Sequence, residues 1–353
     1  MVSLGKGSVL ARATLVLGSL FLALALSETL VRVLGSAPQV AAVEKGRFRL
    51  TSNPRIGYEP VPKLDYRGEA LTFYDYRGSS NALGYRDRDH AVGKPRGVYR
   101  ILVLGDSIAA GLGILDYGRT FPGMLEGLLR RRGVEAEVLN FAVTGYNTMQ
   151  EVATLEERGL RYRPDLVLLA YDLNDVEQNN GNIFAILLAE EARSGGVSRL
   201  ASNPILLKSA LWRFLRYRVL GSPALPRDRA LSRYNMLSRN TVEESFARLG
   251  GLARENHFDV LVAVFPEFDS LEPYAHVADH DTVRGYSARS GFHHLDLLGA
   301  FQACAHAASM PLGFDVYHPT EEGHRCAAEA IAEAIVRDIP GFGRDRPPGA
   351  PMR

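Results

Sequence analysis

Five short, nearly uninterrupted apolar runs punctuate the chain. They are RILVLG ending at Gly105, EAEVLNFA ending at Ala142, DLVLLAY ending at Tyr171, FDVLVAVFP ending at Pro266 and FHHLDLL ending at Leu298. Runs of this length, rich in β-branched residues and without polar alternation, suit strands buried on both faces. Patterns of helical period lie between them. PGMLEGLLRRR follows the first run, TMQEVATLEERGL follows the second, and VEESFARLGGLARE precedes the fourth. A last helix, TEEGHRCAAEAIAEAIVRD, opens at Thr320, a good N-cap directly after Pro319. This alternation predicts an α/β fold, a three-layer α/β/α sandwich around a five-stranded parallel sheet of flavodoxin-like order.

The rhythm fails in two places. Residues 36–98 are rich in Pro, Gly, Tyr and Arg with little periodicity, and read as an extension packed on a main domain of residues 99–340. Within that domain, residues 172–257 form a connection far longer than an ordinary crossover. Its helical candidates are NIFAILLAEEA and PILLKSALWRFLRYRVL. The second places Leu206, Leu207, Ala210, Leu211, Phe214 and Leu215 on one side, which fits an added packing helix, a lid or a face lying on a membrane. Residues 341–353, including GRDRPPGAPMR, read as a disordered tail.

The first 35 residues follow another rule. Lys6 and Arg12 precede an uncharged stretch from Ala13 to Ser27, and Glu28 and Arg32 follow, four apart on one helical face. The uncharged stretch alone spans about 22 Å at ~1.5 Å per residue, and continuation through Leu34 brings it to the ~30 Å of a hydrocarbon core. Basic residues ahead of it predict a cytoplasmic N-terminus and an extracytoplasmic domain, periplasmic or at the cell surface. A signal peptide cut after Ala25 or Ser27 is the alternative to an uncleaved anchor. The helical pattern runs past both cut sites, which favours the anchor.

Composition narrows the function classes. The chain has 353 residues, 46% of them hydrophobic, and a formal charge of +1, so no nucleic-acid partner is expected. Its two cysteines, Cys304 and Cys326, either pair in an oxidising compartment or stay as buried thiols. His276 and His280, with Asp279 and Asp281, have the spacing of a metal pair on a helix, but no second cluster completes a ligand set, and no metal or cofactor is expected.

The first strand candidate ends in Gly105-Asp106-Ser107. Ligands of parallel α/β sheets bind beyond the carboxyl ends of the strands, and a helix beginning there favours developing negative charge. A serine needs a base. Asp315 and His318, three apart before the last helix, supply one, the carboxylate orienting the imidazole. An oxyanion needs donors. Gly145, after the second strand, offers a backbone N–H, and Asn174, after the third, a side-chain amide.

These blocks, in this order, resemble the SGNH hydrolases, or GDSL esterase/lipase family. The matching segments are Gly105-Asp106-Ser107, Gly145, Asn174-Asp175 and Asp315-Val316-Tyr317-His318-Pro319. The resemblance implies Ser107 as nucleophile, His318 as general base oriented by Asp315, and an oxyanion hole of the Ser107 and Gly145 N–H groups with the Asn174 amide. The third block of the family reads Gly-x-Asn-Asp, and Asp172 stands here in place of the glycine. That puts either a different turn or a carboxylate at the pocket. Asn81-Ala82-Leu83-Gly84-Tyr85-Arg86 resembles an element of a membrane-anchored bacterial subgroup, with Asn81 and Arg86 as either a cleft wall or a structural turn.

The expected activity is that of a serine esterase on a short acyl or O-acetyl ester, on a small molecule or an acylated carbohydrate. An O-acyltransferase acting on an extracytoplasmic polysaccharide uses the same acyl-enzyme, and added oligosaccharide would divert its acyl group from water. A silent envelope scaffold is the third reading, against which the intact Ser107, Asp315 and His318 speak.

Overall fold

The computed structural model describes residues 6–36, 47–64, 78, 80–176, 206, 208–215, 242–307, 311–339 and 342. Its centre is a parallel sheet of β3 (Tyr99–Gly105), β4 (Ala136–Asn140), β5 (Leu166–Tyr171), β6 (Asp259–Val264) and β7 (His293–Asp296). The strand order is β4-β3-β5-β6-β7, with Gly105 opposite Ala170 and Tyr171 opposite Val264. This is the flavodoxin-like order expected from the alternating runs. The order reverses at β3, so the crevice that such sheets use for ligands opens between the ends of β3 and β5.

Successive side chains of a strand face opposite ways, and the sheet divides its apolar residues accordingly. Leu102, Leu104, Val167, Leu169, Val260 and Val262 face one layer, containing α4 (Thr148–Thr154), α6 (Val242–Asn256) and α7 (Val277–Ser290). Ile101, Val103, Leu166, Leu168, Leu261 and Ala263 face the other, containing α3 (Phe121–Arg131), α8 (Leu298–Ala307) and α9 (Glu321–Asp338). Both layers are therefore closed by helices, which explains why the strands lack polar alternation.

Cys304 of α8 and Cys326 of α9 form a disulfide with their Cα atoms 6.4 Å apart. The helix read from TMQEVATLEERGL is regular only over Thr148–Thr154, then widens over Leu155–Gly159 and tightens over Leu160–Tyr162. Before the sheet, β1 (Phe48–Leu50) and β2 (Tyr58–Pro60) form an antiparallel pair, whose Tyr58 joins the core beside Tyr146.

The N-terminal helix α1 (Lys6–Val33) contains Ala11–Val33, long and apolar enough to cross a membrane, with its leucines exposed. Near its end, Glu28 accepts hydrogen bonds from the Ser209 hydroxyl and from the Ala210 and Leu211 amides of α5 (Ala210–Phe214). The helical candidate NIFAILLAEEA, most of PILLKSALWRFLRYRVL and the tail lie outside the described residues.

Candidate active site

The turn after β3 is built for close approach. A Cβ on Gly105 would lie 2.7 Å from Ala109 Cβ and 3.2 Å from Ala170 Cβ, so only glycine lets the chain turn there against β5. Asp106 caps the four-residue helix α2 (Ser107–Ala110), its Oδ1 accepting the Ile108 N–H at 2.9 Å. Ser107 thus begins a helix, where the first amides lack intrahelical acceptors. Its side chain is buried at the end of β3.

The candidate base, His318, arrives on a separate loop. Gly313 bridges Pro319, and the Phe314 N–H donates to the His318 carbonyl at 2.8 Å, which closes the loop. Inside it, Asp315 Oδ1 accepts the Tyr317 and His318 amides at 2.9 and 2.8 Å. Both Asp315 oxygens lie 2.9 Å from His318 Nδ1. His318 Nε2 lies 2.9 Å from Ser107 Oγ. With Nδ1–H donating to the carboxylate, Nε2 is left as the acceptor for the serine hydroxyl. Partial burial pushes the Asp315 carboxyl up, but the hydrogen bonds from the His318 ring and amide outweigh it and hold it below the ordinary aspartate value. A second acceptor competes for the same hydroxyl, since Ser107 Oγ is 3.1 Å from Asp106 Oδ2.

Gly145 and Asn174 lie at the next two strand ends. Gly145 has φ 77°, a left-handed conformation that glycine adopts without strain. Its turn is fixed by the Val143 N–H on the Gly105 carbonyl at 3.1 Å and by the Tyr58 hydroxyl on the Thr144 carbonyl at 2.8 Å. The Asn174 amide is already engaged. Its Nδ2 donates to Asp172 Oδ2 at 2.6 Å and to Asp106 Oδ2 at 3.2 Å.

Behind these groups lies an acidic cluster that the sequence pattern did not reveal. Asp106, Glu151, Asp172 and Asp175 are 2%, 1%, 3% and 7% exposed. Asp175 Oδ2 accepts the Thr148 hydroxyl at 2.6 Å. Neither Glu151 carboxyl oxygen has a hydrogen-bond partner among the described residues. Burial first, and then the neighbouring carboxylates, push Glu151 and Asp172 well above the usual carboxylate range. Burial does the same for Asp175, with Asp106 adding to it and Thr148 opposing it. Asp172 in place of the family's glycine announced one carboxylate here, but Glu151 in an amphipathic pattern reads as a solvent-facing charge, whereas every residue of α4 is buried.

The other candidates fall elsewhere. The Asn81–Arg86 element forms a brace. Asn81 Oδ1 accepts the Leu83 and Tyr85 amides. The buried Arg86 guanidinium donates to the carbonyls of Ala110, Gly111 and Ile114 at 3.1, 2.7 and 2.5 Å, closing the far end of α2. His276 and His280 do not converge. His276 pairs with Glu267 and Asp279, while the buried His280 bridges Tyr274 and Asp296. Glu267 and Asp269 do bring their oxygens near His276, within the reach of a cation's ligand shell, a grouping that no local spacing announces. His324, from the last helix, is fully buried, stacks on Phe121 and accepts its N–H at 3.2 Å.

The model of the GDSL-like lipase/acylhydrolase family matches residues 103–326, which include Ser107, Gly145, Asn174, Asp315 and His318. The chain belongs to that family. It is accordingly a hydrolase of ester bonds. No curated protein sequence matches the chain. Among solved structures, TesA is 16% identical, with 67% of this chain and 98% of that one covered at a TM-score of 0.42. An α/β hydrolase from the metagenome of Lake Arreo, Spain, is 17% identical, with coverages of 67% and 94% and a TM-score of 0.42. An acetyl-xylooligosaccharide esterase from Geobacillus is 16% identical, with coverages of 70% and 97% and a TM-score of 0.41. The GDSL block itself is Gly105-Asp106-Ser107, and the Asn81–Arg86 brace lies outside the matched residues.

Proposed function

We propose that this GDSL-family hydrolase is a serine esterase that cleaves a carboxylic ester, with a short acyl or O-acetyl group, through an acyl-enzyme on Ser107. The observation that carries the reading is the chain of contacts from Asp315 through His318 to the Ser107 hydroxyl, each 2.9 Å long. Ser107 Oγ attacks the ester carbonyl while His318 Nε2 takes its proton. Asp315 stabilises the imidazolium that forms. The Ser107 and Gly145 N–H groups receive the tetrahedral oxyanion, with the Asn174 amide as a third candidate donor. The carbonyl re-forms, the alcohol leaves with the proton from His318, and water activated by His318 then releases the acid and restores Ser107.

The apolar helix Ala11–Val33 is proposed as an uncleaved membrane anchor. Lys6 and Arg12 ahead of its apolar stretch support a cytoplasmic N-terminus and a catalytic domain outside the cytoplasm. The Cys304–Cys326 disulfide suits an oxidising compartment. The substrate is then a small ester or an acylated carbohydrate met outside the cytoplasm.

The test is hydrolysis of p-nitrophenyl esters, from acetate to longer acyl chains, by the detergent-solubilised full chain beside its Ser107→Ala variant. Serine-dependent turnover that falls with chain length is expected. Equal rates for the two proteins on every ester would overturn the reading.

A further inference from the structure

The Asn174 amide has two hydrogens, and both are committed. One goes to Asp172 Oδ2 at 2.6 Å, the other to Asp106 Oδ2 at 3.2 Å. An amide held in this way has no hydrogen left for a tetrahedral oxygen. Glycine, which the family has where this chain has Asp172, offers no side-chain acceptor and leaves one N–H free. Asp172 is 3% exposed, so water does not compete for its oxygen. The contact is also the shorter of the two, which makes Asp172 the stronger restraint on the amide.

We propose that Asp172 is a positioning residue that holds the Asn174 amide away from the oxyanion hole, so that this esterase works on the Ser107 and Gly145 N–H groups with its third donor withheld. The proposal rests on the ester reading above. The groups that face Asp172 are Asp106 at the end of β3, Asp175 on its own turn, and Glu267 after β6. None is a cation. Burial and these carboxylates favour the uncharged carboxyl, whose carbonyl oxygen still accepts the amide. A carboxylate oxygen accepts the amide as well, so the restraint does not depend on the charge of Asp172.

The experiment is a double-mutant cycle on kcat, with Ser107→Ala as its zero line. In the wild-type background Asn174→Ala is expected to cost less than about tenfold, because the amide is not in use. In the Asp172→Gly background the amide is free, kcat is expected to rise, and Asn174→Ala then costs the ~10²–10³ of a working oxyanion donor. Asp172→Ala serves if the glycine variant fails to fold. Asp172→Asn keeps a carbonyl acceptor for the amide, and in it the cost of Asn174→Ala should stay near the wild-type value. A residue needed only for folding would not give this split between Gly and Asn, nor confine it to kcat with KM unchanged. Equal costs of Asn174→Ala in the wild-type and Asp172→Gly backgrounds, whatever their size, overturn the proposal alone. Turnover that survives Ser107→Ala overturns the ester reading, and the proposal with it.

Discussion

Two groups of carboxylates meet at the same strand ends and are treated in opposite ways. Asp315 is 45% exposed at its side chain, accepts two backbone amides and the His318 ring, and sits below its ordinary value despite partial burial. Asp172, Asp175 and Glu151 are buried with no cation beside them among the described residues, and burial pushes all three up. A buried carboxylate in want of a countercharge gives up its charge. The difference fits the proposed roles. The half-exposed, well-partnered Asp315 stays ionised and can stabilise an imidazolium. Of the buried acids, Asp172 holds the Asn174 amide and Asp175 the Thr148 hydroxyl at the start of α4, while Glu151 has no hydrogen-bond partner among the described residues.

The largest effects belong to the ionised side. Ser107→Ala should lower ester turnover by roughly 10⁴–10⁶, in line with triads in which the nucleophile is removed. Asp315→Asn should cost roughly 10³–10⁴, because the amide no longer fixes the proton on Nδ1 and stabilises the imidazolium poorly. The outcome that would break the comparison is an Asp315→Asn variant with wild-type kcat, since Asp315 would then be no more than a loop fastener for the Tyr317 and His318 amides.

The ionised side was also the legible side. Asp315 and His318 are three residues apart, so their pairing is local, and Ser107 follows an apolar run whose end had to be a strand end. The five runs likewise exposed the sheet, because its strands are covered on both faces. The acidic side is made by distance. Asp106 and Asn174 are 68 positions apart, and their contact exists only because β3 and β5 are neighbours. Glu151 carries the wrong signal for its place, a charge in an amphipathic pattern that turns out to be enclosed. Arg86 reads in the sequence as part of a cleft wall or of a structural turn, and its acceptors are carbonyls of the α2 turn that no spacing announces. The helix Leu298–Ala307 went unread because it starts directly after a strand in small residues that carry little period.

His324 sharpens the comparison from the basic side. It is fully buried, and burial first, then Arg86 and His318, depress its ring to about 3. The unfolded chain binds a proton near pH 6.5 that the folded chain refuses. Stability from this residue is therefore fully present above about pH 6.5 and is lost as pH falls toward 3. Between pH 7 and pH 5 the loss is about 2 kcal/mol, or ~4–8 °C in Tm for a domain of this size. His324→Gln keeps an acceptor for the Phe121 N–H and does not titrate. Its melting temperature should fall less over this interval than that of the wild type, and parallel curves would show that the ring protonates in place.

Glu151 makes the most selective test, with the opposite sign. Its folded value lies above its unfolded one, so the folded chain keeps a proton that the unfolded chain releases above about pH 4. Stability from this group is fully present below pH 4 and declines as pH rises toward its folded value, by up to ~1.4 kcal/mol per pH unit. Glu151→Gln has the shape of the neutral acid and nothing to ionise. Melts at pH 5 and pH 8 should show the variant gaining on the wild type at the higher pH, with the two proteins closer at the lower one. A gain of the same size at both pH values would mean that only packing had changed. A variant that loses ground at pH 8 would mean that Glu151 is ionised in the fold, and the contrast between the two groups of carboxylates would then fail at the member on which it depends most.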